Sequence, residues 1–90
     1  MSEDKSLLVR VLKDGELFLE GNFDVRAEDY GVVKGLLKEV DLTDANAASM
    51  LSGYMHASDV GKASEEMGKL AMIAAVHILE QGKTAIEVPL

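Results

Sequence analysis

Few side chains in this 90-residue chain could do chemistry, and they are scattered along it. There are two histidines, two tyrosines and no cysteine. Without a thiol, disulfides, Cys-ligated zinc, iron–sulfur clusters and cysteine nucleophiles are excluded. His77 lies in an uncharged run from Leu70 to Leu79, with Ile73 one helical turn before it. An imidazole in apolar surroundings could serve as a general base or a pH-sensitive contact. The plainer expectation is a core or interface histidine held by one hydrogen bond. His56 and Asp59 stand three apart, a spacing that puts both on one helix face and suits a metal. Two ligands do not make a site, and no third follows nearby, so neither a metal nor a cofactor is expected.

Tyr30 and Tyr54 fall on apolar stripes and read as core residues whose hydroxyls reach the edge. The serines lack the GxSxG context of a nucleophile elbow, and there is no GxGxxG or Walker loop. Asp14, Glu16 and Glu20 surround a turn, with too few oxygen donors for a calcium loop. Arg10 is the awkward charge, alone among leucines on a strand. It either runs its stem along the apolar face to the rim or anchors an anion at a subunit boundary. No catalytic set emerges.

Sixteen acidic and nine basic residues give a net charge of −7. A nucleic-acid backbone or an anionic membrane needs clustered Lys and Arg, which are missing here. The acidity reads first as solubility. The sharper alternative is an acidic inhibitor or nucleic-acid mimic of a basic partner, but the carboxylates are spread from Glu3 to Glu87 rather than massed. The ten-residue apolar run falls far short of the ~20 residues that cross a bilayer. The polar start, Met-Ser-Glu-Asp-Lys, has no basic region leading into an apolar stretch. A cytoplasmic protein is expected.

The elements that hold these residues follow from period and punctuation. Residues 1–5 read as a frayed end. Ser6 to Lys13 is a strand, Asp14-Gly15 a type I′ turn, and Glu16 to Gly21 the return strand. A two-residue turn sets Lys13 opposite Glu16, Leu12 opposite Leu17, Val11 opposite Phe18 and Arg10 opposite Leu19. Leu8, Leu12, Leu17 and Leu19 then share one face with Arg10. Leu7, Val9, Val11 and Phe18 share the other.

Asp24 is expected to cap a first helix over 26–40, whose stripe is Tyr30, Val33, Leu37 and Val40. Thr43 caps a second helix. A break near His56–Asp59 lets Ser58 or Asp59 cap a third over 60–81, ended by Gly82. The four-residue ladder Ser49, Gly53, Ala57, Gly61 leaves open one continuous helix instead. Residues 84–90 form a last strand, and Pro89 sends it to an edge. The expectation is one α+β domain over 1–90: an antiparallel hairpin, three helices and a short edge strand, in the order β-β-α-α-α-β.

The run Leu70–Leu79 is apolar on every side if helical, so it must be covered on every side. A chain this small has little material for that, which points to a homodimer. Both hairpin faces are also apolar. Gly31 and Gly35, with Gly68, Ala71 and Ala75, would let backbones approach closely. Arg10, Phe18, Gly61, Gly68, Met72 and His77 are the candidate interface residues. The functional expectation is a non-enzymatic protein–protein interaction module that self-associates. A small ligand-binding domain or enzyme with a pocket near His77 is the other alternative.

Overall fold

The computed structural model describes residues 4–89. Its elements run β1 (Lys5–Lys13), β2 (Glu16–Val25), α1 (Ala27–Leu36), α2 (Asp44–Asp59), α3 (Glu65–Leu79) and β3 (Ala85–Pro89). This is the α+β order expected. The sheet order is β2-β1-β3, with β1 in the centre, antiparallel to β2 and parallel to β3. Pro89 sits on the edge strand, where its missing N–H leaves no central ladder bond unmade.

The turn residues Asp14 and Gly15 both have positive φ, as a type I′ turn requires. Lys13 faces Glu16 and Leu12 faces Leu17, but the register then slips. Val11 faces Leu19, and Arg10 faces Glu20 rather than Leu19. Phe18 is the extra residue of a β-bulge, and it shifts every later side chain by one position. Leu19 now lies on the helix side with Val11, against the core. The bulge corrects the expected faces and resolves Arg10. Its Nε lies 2.7 Å from Glu20 Oε2 on the outer face.

Four boundaries also move. The chain end is ordered earlier than expected: Lys5 pairs with Val25, and Asp4 Oδ1 accepts a hydrogen bond from Ala27 N at 2.9 Å. Residues 1–3 and 90 of the expected frayed end and last strand lie outside the described residues. Asp24 does not cap α1, because β2 continues to Val25 and Arg26 takes the cap position. Helix α1 stops at Leu36, short of 40. Helices α2 and α3 are separate, and the break falls later than expected. Gly61, at φ +74°, accepts the left-handed turn that ends α2. Gly61 N and Lys62 N donate back to Ser58 O and Ala57 O, a Schellman stop. Ser64, not Ser58 or Asp59, caps α3 by accepting from Met67 N.

The helices cover one face of the sheet. Leu7, Val9 and Val11 of β1 are fully buried beneath them, with Val25, Leu51 and Val76. Helix α3 packs against α1, α2 and the sheet. Ala71, Ala74, Ala75, Val76 and Ile78 are buried, while Met72, Ile73, His77 and Leu79 are half-buried. Only Leu70 of the apolar run is exposed. A single copy therefore covers nearly all of it, and the run by itself does not require a second copy. The reason is side-chain size: three alanines on α3 let its neighbours come close enough to seal it.

Candidate interaction surface

Three polar clusters tie the elements together and use up most of the chemically capable side chains. Tyr30 on α1 donates its hydroxyl to Glu80 Oε2, just past α3. Lys34 Nζ lies 3.3 Å from the other Glu80 oxygen, and Lys5 Nζ sits over the Tyr30 ring. Burial pushes the Tyr30 phenol up to about 12, and the Glu80 hydrogen bond and charge add to that. The same hydrogen bond, with Lys34 beside it, holds Glu80 below the usual carboxyl range.

The second cluster joins the start of α2 to the end of α3. Asp44 Oδ1 lies 2.6 Å from Gln81 Nε2 and 2.8 Å from His77 Nε2. Asp44 is held below its usual range, chiefly by Gln81 and then by His77. His77 thus points its ring edge at a carboxylate on the surface, and that nitrogen is occupied within the chain. In the third cluster Arg10 sits between two carboxyl-bearing strands, bonded to Glu20 and registered beside Glu87.

His56 does not meet Asp59 around a metal. Its ring stacks on Phe18, with centroids 6.0 Å apart. Among the described residues, no group of three or more His, Asp and Glu side chains is arranged to hold a metal ion. No helix of the described residues is long and apolar enough to cross a membrane.

The six interface candidates are not gathered into one surface. Arg10 belongs to the outer sheet face. Phe18 leans on α2, Gly61 ends α2, and Met72 packs half-buried against the core. Gly68 lies against the Tyr54 ring, where an added Cβ would sit 3.6 Å from Cε1. His77 is tied to Asp44. An apolar groove of about 170 Å³ runs between α2 and α3, lined by Ser49, Met50, Gly53, Tyr54, Met67 and Leu70.

The clearest unpartnered surface lies elsewhere, on α1. Tyr30 and Val33 face the core, and Leu37 packs at its margin. Val32 and Leu36 point the other way, 67% and 45% exposed, and Val40, in the segment that follows the helix, is 42% exposed. Gly31 and Gly35 are exposed beside them. Neither has positive φ, and a Cβ on either would meet nothing within 4 Å. Two glycines in a ten-residue helix cost roughly 2 kcal/mol relative to alanine, and nothing inside the fold requires them. The Gly31–Gly35 spacing was visible in the sequence. Val32 and Leu36 lie off the dominant apolar stripe, so periodicity does not single them out, and Val40 joins that stripe only in a helix four residues longer than α1.

Comparison with known protein families, curated proteins and solved structures gives no match to this chain.

Proposed function

We propose that this chain is a non-enzymatic protein–protein interaction module that works by contact and self-associates as a homodimer. The observation that carries this reading is the pair Val32 and Leu36 on the outer face of α1, left in water while the core beneath is already closed. Large apolar side chains at i and i+4 on the outer face of a helix favour burial against another protein, at ~25 cal/mol per Å² of apolar area removed from water. Leu17, Phe18, Val60 and Leu70 are also exposed, but on other elements. The cysteine-free composition suits a reducing, cytoplasmic setting.

The two alternatives draw less support from the geometry. A phosphate-like array needs free carboxylates on one face. Here Glu20, Glu28, Asp29, Asp44 and Glu80 each engage a cation or a histidine, and they are spread over β2, α1, α2 and the end of α3. A ligand site at His77 would have to use Nδ1, because Nε2 is engaged by Asp44. Light scattering behind a sizing column tests the proposal. The expected result is a species approaching twice 9.7 kDa as concentration rises. A mass of one chain at every concentration contradicts it.

A further inference from the structure

We propose that the partner of α1's outer face is α1 of a second copy, packed antiparallel and crossing at Gly31 and Gly35. This rests on the self-associating reading above and names the surface and its geometry.

Charge selects a second copy for this face over the others. Between residues 26 and 40, Arg26, Lys34 and Lys38 balance Glu28, Asp29 and Glu39, so the whole excess of negative charge lies elsewhere in the chain. Self-pairing along the free edge of β2 would instead bring Glu16, Glu20 and Asp24 against the same residues of the partner. The α1 segment is where two copies meet without net repulsion.

The charges on α1 are also already paired. Arg26 holds Glu28 at 2.9 Å and Asp29 at 3.4 Å beside its first turn, and Glu80 holds Lys34 at 3.3 Å in its last. Two such helices run antiparallel bring no like-charged ends together and set their helix dipoles opposed. The glycines supply the shape. Their open Cα surfaces let backbones approach closely, at or below the usual 8–10 Å between helix axes. In this crossing Val32 rests on the partner's Gly35 and Leu36 on the partner's Gly31. Each bulky side chain thereby fills a place where no Cβ stands. Ten residues give a contact only about 15 Å long, so the dimer is of the weak, reversible class.

The absence of native cysteine makes the test clean, because an introduced thiol is the only one in the chain. Glu28→Cys and Glu39→Cys chains, distinguishable by mass, are mixed under mild oxidation. Antiparallel crossing at the glycines brings residue 28 of one copy beside the turn that follows the partner's α1, where residue 39 lies three residues past the helix end, and so within disulfide reach. The mixed 28–39 product should exceed both same-residue products by about tenfold, a difference of about 1.4 kcal/mol. Excess of the 28–28 and 39–39 products, or a statistical mixture, overturns the proposal.

Val32→Lys gives a second readout: self-association should weaken at least about tenfold, with the far-ultraviolet dichroism of the dilute chain unchanged. If the chain dimerises and Val32→Lys leaves its affinity untouched, this surface is wrong while self-association stands. If the unaltered chain stays a monomer throughout, both readings fall.

Discussion

Replacing Gly31 and Gly35 together with alanine should make the isolated chain more stable and its dimer weaker. Both positions are helical, neither carries positive φ, and the added methyls meet no atom within 4 Å. The substitution therefore introduces no strain. It removes the backbone freedom that glycine brings to the unfolded chain, worth about 1 kcal/mol per site and roughly 2 kcal/mol for the pair. For a domain of this size, urea m-values lie near ~1 kcal/mol per molar. The urea midpoint of a dilute sample should then rise by about 1.5–2 M, and the melting temperature by roughly 10 °C. Urea titration followed by dichroism at 222 nm reads the first effect. Sedimentation equilibrium on the same variant reads the second, since methyl groups at the crossing hold the two backbones apart. A dilute-sample midpoint that stays put or falls would refute the reasoning, because it would mean the glycines already serve a contact within one chain.

Other expected outcomes concern the fold. Leu51→Ala removes a fully buried side chain from the centre of the core and should cost about 2–5 kcal/mol in a denaturant titration. A loss below about 1 kcal/mol would place Leu51 outside the packed centre. Ser64→Ala deletes the cap that receives Met67 N and should cost about 1 kcal/mol, with Ser64→Asp restoring it.

The Tyr30–Glu80 pair predicts two pH limbs. Glu80 is depressed in the folded chain, so its contribution is present above the unfolded glutamate value of ~4.3 and is lost as pH falls below it. Tyr30 is raised, so its contribution is present below ~10 and is lost as pH climbs toward about 12. Tyr30→Phe should remove the alkaline limb and shrink the acid one in a plot of urea midpoint against pH. Unchanged limbs would contradict the assignment.

Most of the architecture was legible because it rests on local rules. Alternation marks Leu7, Val9 and Val11 as the buried row of β1, and Asp14-Gly15 forces the hairpin turn. Thr43 and Gly82 mark the start of α2 and the turn beyond α3. The failures came where a distant neighbour decided the outcome. A tight turn fixes only the first pairs of a hairpin. The bulge at Phe18, which brings that ring onto His56, depends on a helix that follows much later in the chain. Asp24 looked like a cap because acidic residues follow it, yet Asn22 to Val25 also alternates, and pairing with β1 kept that stretch extended. Gly61 was counted as helical on spacing alone, although the Ser64-Glu65-Glu66 sequence after it already signalled a new helix start.

The candidate surface was only half legible. The Gly31–Gly35 spacing showed, but its exposure did not, since that depends on which side of α1 meets α3. The apolar run over 70–79 misled in the opposite direction. Its hydrophobicity was plain, whereas the small volume of Ala71, Ala74 and Ala75, which lets one chain enclose it, expresses itself only in the packing.

The most direct test is methyl NMR with a soluble paramagnetic probe, comparing dilute and concentrated samples of the unaltered chain. Signals of Val32 and Leu36 should become shielded from the probe as concentration rises, while those of Leu17, Val60 and Leu70 stay as accessible as before. Equal accessibility of Val32 and Leu36 at both concentrations would contradict the claim that α1 carries the contact.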